Sequence, residues 1–316
     1  MKSKRIVATI LALILICSLT LTGCGKTAPV KDLVVTYVTS PLNVPSIVEQ
    51  NHGIFQETMK EAGVETVTYS EITSGADQTQ ALASGDIHFL YAVGATSVIL
   101  SAANDADIKI ISMYSRSPEA FCLFSSDASI ASPADLAGKT IAGPQGTILH
   151  ELLVAYLASG GMTLADVNFV NTTIPDAMAA LSGGSVDCAL LAGAAAYNMQ
   201  SGGGHLVTNG KGLVDATICC ATTQKFYDEH KDLVEKFLEA QEKVLTFMAE
   251  NEETALQEAA DYLDLDVEAV KGMYPMYDFD MTIKDSDIEA MKSTMNFMLE
   301  TEMIENEVDI DALVIR

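Results

Sequence analysis

The chain has no tryptophan and few aromatics of any kind, 6% Phe, Trp and Tyr together, which argues against a ligand held on a broad stacking platform. Cations are scarce as well: 18 Lys plus Arg stand against 43 Asp plus Glu, a formal net charge of −25. Phosphate backbones require a basic face, so nucleic acid is excluded as a partner. None of the six cysteines is in C-x-x-C spacing, and the five histidines (His52, His88, His150, His205 and His230) are scattered without ligand spacing. A zinc site and a dithiol motif therefore have no support, and no metal or other cofactor is expected. H-E-x-x-H, G-x-S-x-G, Walker and dinucleotide fingerprints are missing, which removes the commonest hydrolase, NTPase and dehydrogenase classes. Beyond Gln224 there is one glycine, Gly272, and one proline, Pro275, too few turn formers for a second sheet there.

What is present begins with a leader. Lys2, Lys4 and Arg5 precede an apolar run from Ile6 to Leu19, and Leu21-Thr22-Gly23 ends in small residues before Cys24. Residues 1–23 read as a secretion signal peptide, shorter than a membrane span needs. LTGC resembles the lipobox of bacterial lipoproteins, in which the cysteine receives a diacylglyceryl group and becomes the mature N-terminus; palmitate-type acylation of Cys24 and a tether over residues 24–30 are expected. Two acyl chains suffice for stable anchoring at the extracytoplasmic face of the cell membrane. Without the signal, 15 Lys plus Arg remain against 43 Asp plus Glu, a net charge of about −28. The remaining cysteines, Cys122, Cys188, Cys219 and Cys220, lie in apolar runs. They are expected as buried thiols, with Cys122 and either Cys219 or Cys220 as the pair to watch in an oxidising compartment.

The segment from Thr73 to Ser97 organises the rest. It reads as a loop ending in small residues, a short helix, an apolar strand from Ile87 to Val93 and a second helix start at Gly94. Thr73, Asp77, Ala81, Leu82, Gly85, Gly94 and Ala95 recur as Thr172, Asp176, Ala180, Leu181, Gly184, Gly193 and Ala194. One long-period echo is not a solenoid; it indicates two similar α/β lobes whose helix N-termini face one cleft. Around it, Leu33–Val38, Val64–Ile72 and Ile108–Tyr114 read as strands, and βαβαβ order with short loops predicts a doubly wound parallel sheet. After Gln224 the chain turns acidic, amphipathic and helical in period, and its helices are expected to coat the first lobe.

TSPLNVP after the first strand, HGIF, SGADQTQALASGDIHF, SPADLAGKTIAGPQG and the second ALSGGSVD, behind a lipoprotein signal, together resemble the sulfonate/nitrate/taurine-type substrate-binding proteins of ABC importers, with relatives for thiamine-pyrimidine precursors. The resemblance runs from about Leu33 to Gln224. It implies an α/β, two-lobed, type II periplasmic-binding-protein fold. Lobe 1 would comprise residues 31–121 with 222–316, and lobe 2 residues 122–221 including the hinge strands, placed at Ala120–Phe124 and Thr217–Thr222. It also implies a monomer that captures a small molecule by hinge closure and docks on a membrane permease with its ATPase. Family binding positions fall on Ser40, Pro41 and Asn43; on Gly75, Ala76 and Asp77; on Gly94, Thr96 and Ser97; on Gln145, Gly146 and Thr147; and on Ala192 and Gly193.

The residues themselves agree in part. Helix starts at Gly75, Gly94 and Gly146 offer unpaired N–H groups and partial positive charge to an anion. Arg116, beside the hinge, is placed to fork onto a sulfonate or carboxylate, or alternatively to pair with Glu119. Tyr91 and Tyr114 can offer a ring face. Each candidate also has a plainer role: Ser40 and Asn43 as turn shapers, Asp77 as a first-turn acid. A compact sulfonate-, taurine- or nitrate-like anion leads, and a small heteroaromatic is the alternative. A pyrimidine-precursor synthase of the same fold is the enzymatic rival, disfavoured by export; a sensing lipoprotein is the third reading.

Overall fold

The structure, a computed structural model, describes residues 29–39 and 42–316. The signal, Cys24, Ser40 and Pro41 lie outside the described residues. In chain order come β1 (Asp32–Tyr37), α1 (Val44–His52), α2 (Ile54–Lys60), β2 (Thr66–Glu71), α3 (Gly75–Ser84), β3 (Leu90–Gly94), α4 (Ala95–Ala103) and β4 (Lys109–Arg116). Then follow β5 (Phe121–Ser125), β6 (Thr140–Gly143), α5 (Ile148–Ser159), β7 (Asn168–Asn171), α6 (Ile174–Ser182), β8 (Cys188–Ala192), α7 (Gly193–Ser201), β9 (His205–Asn209) and β10 (Thr217–Thr222).

Two mixed sheets result. In the first, β1 runs parallel to β2, a parallel bridge from Val35 to Phe89 joins β1 to the start of β3, and β10 lies antiparallel between β3 and β4. Through that single bridge the two-stranded β2-β1 and three-stranded β3-β10-β4 sheets continue one another in the order β2-β1-β3-β10-β4. The second sheet repeats that order as β7-β6-β8-β5-β9, with β5 antiparallel to both neighbours. The all-parallel expectation is therefore corrected at one strand per sheet. β5 and β10 carry the chain into the second sheet and back out of it. β10 is thus a strand of the first sheet.

The sequence explains why β10 sits centrally. TICCAT is buried along its whole length, and only an apolar or neutral run tolerates burial on both faces. The second crossing, β5, is buried throughout in the same way. β2, by contrast, lies at an edge and is half exposed.

The tail comprises α8 (Gln224–Glu229), α9 (Lys231–Glu250), α10 (Glu252–Leu263), α11 (Val267–Met273), α12 (Asp285–Glu300) and α13 (Ile310–Leu313). α9 packs on α1 and α2, and α12 packs on α4, so the tail coats the first lobe. On α9 the buried residues Leu233, Val234, Phe237, Ala240, Val244 and Met248 follow helical spacing. Phe237 stacks on Phe89 with ring centroids 4.3 Å apart, and Gln241 accepts from Ser112 Oγ (2.6 Å) and donates to the Met113 carbonyl (2.7 Å). The four described cysteines are free and buried, so no Cys122 disulfide forms. Among the described residues no helix is long and apolar enough to cross a membrane.

Candidate functional site

Where β-strands hand over to helices at the facing edges of the two sheets, the chain encloses a cavity of about 420 Å³. Four helices begin at its wall: α3 and α4 from the first lobe, α5 and α6 from the second. The first N–H groups of a helix have no carbonyl one turn back, so each start presents donors and partial positive charge. The internal repeat is visible here as matched caps. Ser74 accepts from the Asp77 N–H (3.4 Å) at the start of α3, and Thr173 accepts from the Asp176 N–H (3.3 Å) at the start of α6.

Small residues let these helix starts approach one another. A Cβ on Gly75 would lie 2.3 Å from Ser97 Oγ, and one on Gly94 would lie 3.2 Å from Ile148 Cδ1. Ser97 Oγ donates to the Gly146 carbonyl (2.8 Å), tying α4 of the first lobe to the loop before α5 of the second. Nearby, Gly146 takes φ +69°, a conformation L side chains resist, and its N–H donates to His150 Nδ1 (3.3 Å). Burial pushes the His150 imidazole down to about 4, so it is neutral at pH 7.

A second link between the lobes is ionisable. Glu151, on α5, accepts from Thr96 Oγ1 on α4 and from Thr294 Oγ1 (3.0 Å) on α12. Burial raises its carboxyl to about 7, against the lowering effect of the two hydroxyls, and Asp215 adds to the rise. No Lys, Arg or His side chain belongs to the described cavity wall, whose single ionisable group is Asp77. Any positive potential offered to a solute here therefore comes from backbone N–H groups.

Of the residues singled out in the sequence, Asn43, Gly75, Ala76, Asp77, Gly94, Ser97, Gln145, Thr147 and Ala192 line the cavity. Several are partly engaged already: the Asn43 amide donates to the Val38 carbonyl (3.0 Å), Gln145 N–H donates to Asn171 Oδ1 (2.9 Å), and Thr147 Oγ1 donates to the Pro144 carbonyl (2.9 Å). Thr96, Gly146 and Gly193 are not among the lining residues. Tyr114 is a core residue: it is 1% exposed, and its hydroxyl bonds Ser46 Oγ (2.9 Å). Tyr91 is buried against it edge-on, so neither ring faces the cavity, and the one aromatic side chain on the described wall is Phe121.

Arg116 is corrected more sharply. Its guanidinium forks onto Asp287, with Nε–Oδ1 and Nη2–Oδ2 both 2.6 Å, and donates to the carbonyls of Asp280 and Thr282 at 2.9 Å. It pairs with neither a cavity group nor Glu119, which instead holds Lys211. Sequence reasoning missed Gln78, Phe121, Ile218 and the run from Asn171 to Pro175. The echo was the signal for that run: Thr172 to Asp176 repeats Thr73 to Asp77, so what holds for one stretch holds for the other.

The NMT1/THI5-like family profile matches residues 41–255, more than half of the chain. The chain belongs to that family. A Bacillus subtilis protein named "Putative aliphatic sulfonates-binding protein" is 25% identical over 275 residues, covering 85% of this chain and 82% of the relative. The taurine-binding periplasmic protein of Escherichia coli is 29% identical over 213 residues, covering 65% of this chain and 63% of the relative. In fold, the alkanesulfonate-binding protein SsuA from Xanthomonas axonopodis pv. citri, bound to MOPS, superposes with a TM-score of 0.81 at 19% identity, covering 92% of this chain and all of that one. The family's periplasmic-binding-protein architecture and the cavity between its two sheets therefore coincide in this chain.

Proposed function

We propose that this protein is the extracytoplasmic solute-binding component of an ABC importer, anchored through lipid on Cys24, which captures a small organic anion between its lobes and delivers it to a permease and its ATPase as a monomer. The observation that carries this reading is the convergence of four helix N-termini, two from each lobe, on one cavity with no side-chain cation on its described wall. Such a site meets negative charge with preorganised N–H groups and closes only when both lobes contribute. Sulfonates head the candidates because the relatives are named for them, and a volume of about 420 Å³ suits a compact organic anion.

The thiols favour binding over turnover. Burial pushes Cys122 and Cys220 up to about 12 and Cys188 up to about 11, and Cys219 is raised well above the ordinary thiol range. A synthase-like cysteine nucleophile needs a thiolate in a partly exposed, electropositive setting, and none of the four has it.

A thermal-shift screen of taurine, ethanesulfonate, MOPS, nitrate and a thiamine-pyrimidine precursor tests the ligand class. A solute at 100 times its Kd stabilises by about 2.7 kcal/mol and raises Tm by degrees. A shift with the neutral pyrimidine and none with any anion would overturn the anion assignment. Anchoring has its own check: Cys24→Ala is expected to move the protein from the membrane to the soluble fraction, and a variant that stays with membranes refutes the lipid link.

A further inference from the structure

Gln78 is the unexplained polar group of the cavity. It sits in the first turns of α3, is 2% exposed, and lines the cavity beside Asp77. Its Oε1 is shielded from solvent and has no hydrogen-bond partner among the described residues. The Ser97 and Thr147 hydroxyls on the same wall differ in this respect, each donating to a backbone carbonyl. A buried amide left unpaired is costly, and an apolar side chain of the same size at this position would avoid the cost. No described residue hydrogen-bonds the carboxamide, which leaves its Nε2 as a donor for a solute in the cavity.

We propose that Gln78 is a specificity-determining residue of this cavity, its Nε2 donating to an anionic oxygen of the bound solute. This deepens the solute-binding reading and rests on it. The chemistry follows from the setting. With no cation on the described wall, neutral donors must match the anion, and Gln78 adds a side-chain N–H₂ next to the N–H groups that begin α3. Asp77 on the same turn would repel an oxyanion placed against it, so a donor at residue 78 also directs the anionic group away from that carboxylate. A solute lacking an oxygen acceptor there leaves the amide unpaired and is rejected, as buried polar groups discriminate more strongly than apolar ones.

The test uses the full mature chain with taurine, ethanesulfonate and MOPS as probes in calorimetric titrations, alongside Gln78→Leu and Gln78→Glu. For the probe that wild type binds, Gln78→Leu is expected to weaken binding at least tenfold while the ligand-free Tm rises or holds, because the unpaired amide is gone. Gln78→Glu replaces the two donors with acceptors and is expected to weaken binding at least a hundredfold. Wild-type affinity in both variants overturns the Gln78 assignment alone. So does a ligand-free Tm of Gln78→Leu that falls by several degrees, since that marks a structural role. If wild type binds none of the probes, the solute-binding reading for anions fails and this inference fails with it.

Discussion

Arg116 shows how far a single residue can mislead. As a scarce cation near a hinge it reads as an anion clamp, but its acceptors lie more than 160 residues away, in the Asp278–Asp287 segment, beyond any local pattern. Asp287 is 3% exposed; burial alone would raise its carboxyl, and the Arg116 guanidinium together with the Lys284 backbone N–H and ammonium outweighs that and holds it below the ordinary range. Arg116→Ala strands this carboxylate, and breaking one side of a buried pair costs about 3–5 kcal/mol. We expect a large drop in Tm by calorimetry, and little change in anion affinity at a temperature where the variant remains folded. A variant with wild-type stability and lost affinity would return Arg116 to the site. The sign with pH is fixed: Asp287 contributes stability above the ordinary carboxylate pKa, and the contribution is lost as pH falls through its lowered value.

At the scale of elements, the repeat carried most of the legible information. It located both βα units, their caps and the edge at which they open, because glycine, small polar caps and apolar runs are local signals. The antiparallel strands β5 and β10 were legible as crossings but not as sheet members, since an apolar run does not record which neighbour it pairs with or in which direction. The same distinction separates wall residues that were found, such as Gly75, from Phe121 and Ile218, which reach the cavity only through the crossings. Gly75 carries the test here. A Cβ there would fall 2.3 Å from Ser97 Oγ and 2.9 Å from Ser97 Cβ, so Gly75→Ala must displace Ser97 and with it the bond to the Gly146 carbonyl. Overpacking of this kind costs about 1–3 kcal/mol. Urea melts should show that loss, and titration should show weaker solute binding; both measurements unchanged would mean that the helix starts are less tightly matched than described.

For the whole molecule, the decisive contact is one between lobes. Glu151 on α5 reaches Thr96 and Thr294 on the opposite side, and Asp215 is the charged neighbour acting on it. In the described conformation its carboxyl is raised to about 7 by burial; on the hinge opening proposed above, exposure to water would return it to the ordinary 4.5. Between those values closure takes up a proton, so the closed form is favoured fully below about pH 4.5 and progressively loses that advantage up to about pH 7, above which the difference is constant. The full swing is about 3 kcal/mol at most. Glu49 is also raised to about 7, with Tyr69 and the Phe55 N–H as partners, but all three groups lie in the first lobe, so it affects unfolding and not closure. Solute affinity measured at pH 5, 6, 7 and 8 is therefore expected to weaken as pH rises to 7 and then level off. Glu151→Gln keeps the hydrogen bonds without the charge, so it should abolish that slope and bind at pH 8 at least as tightly as wild type does at pH 5. An equal slope in the variant would mean that the lobes stay in contact at Glu151 whether or not the cavity is filled, and that closure takes place about some other surface.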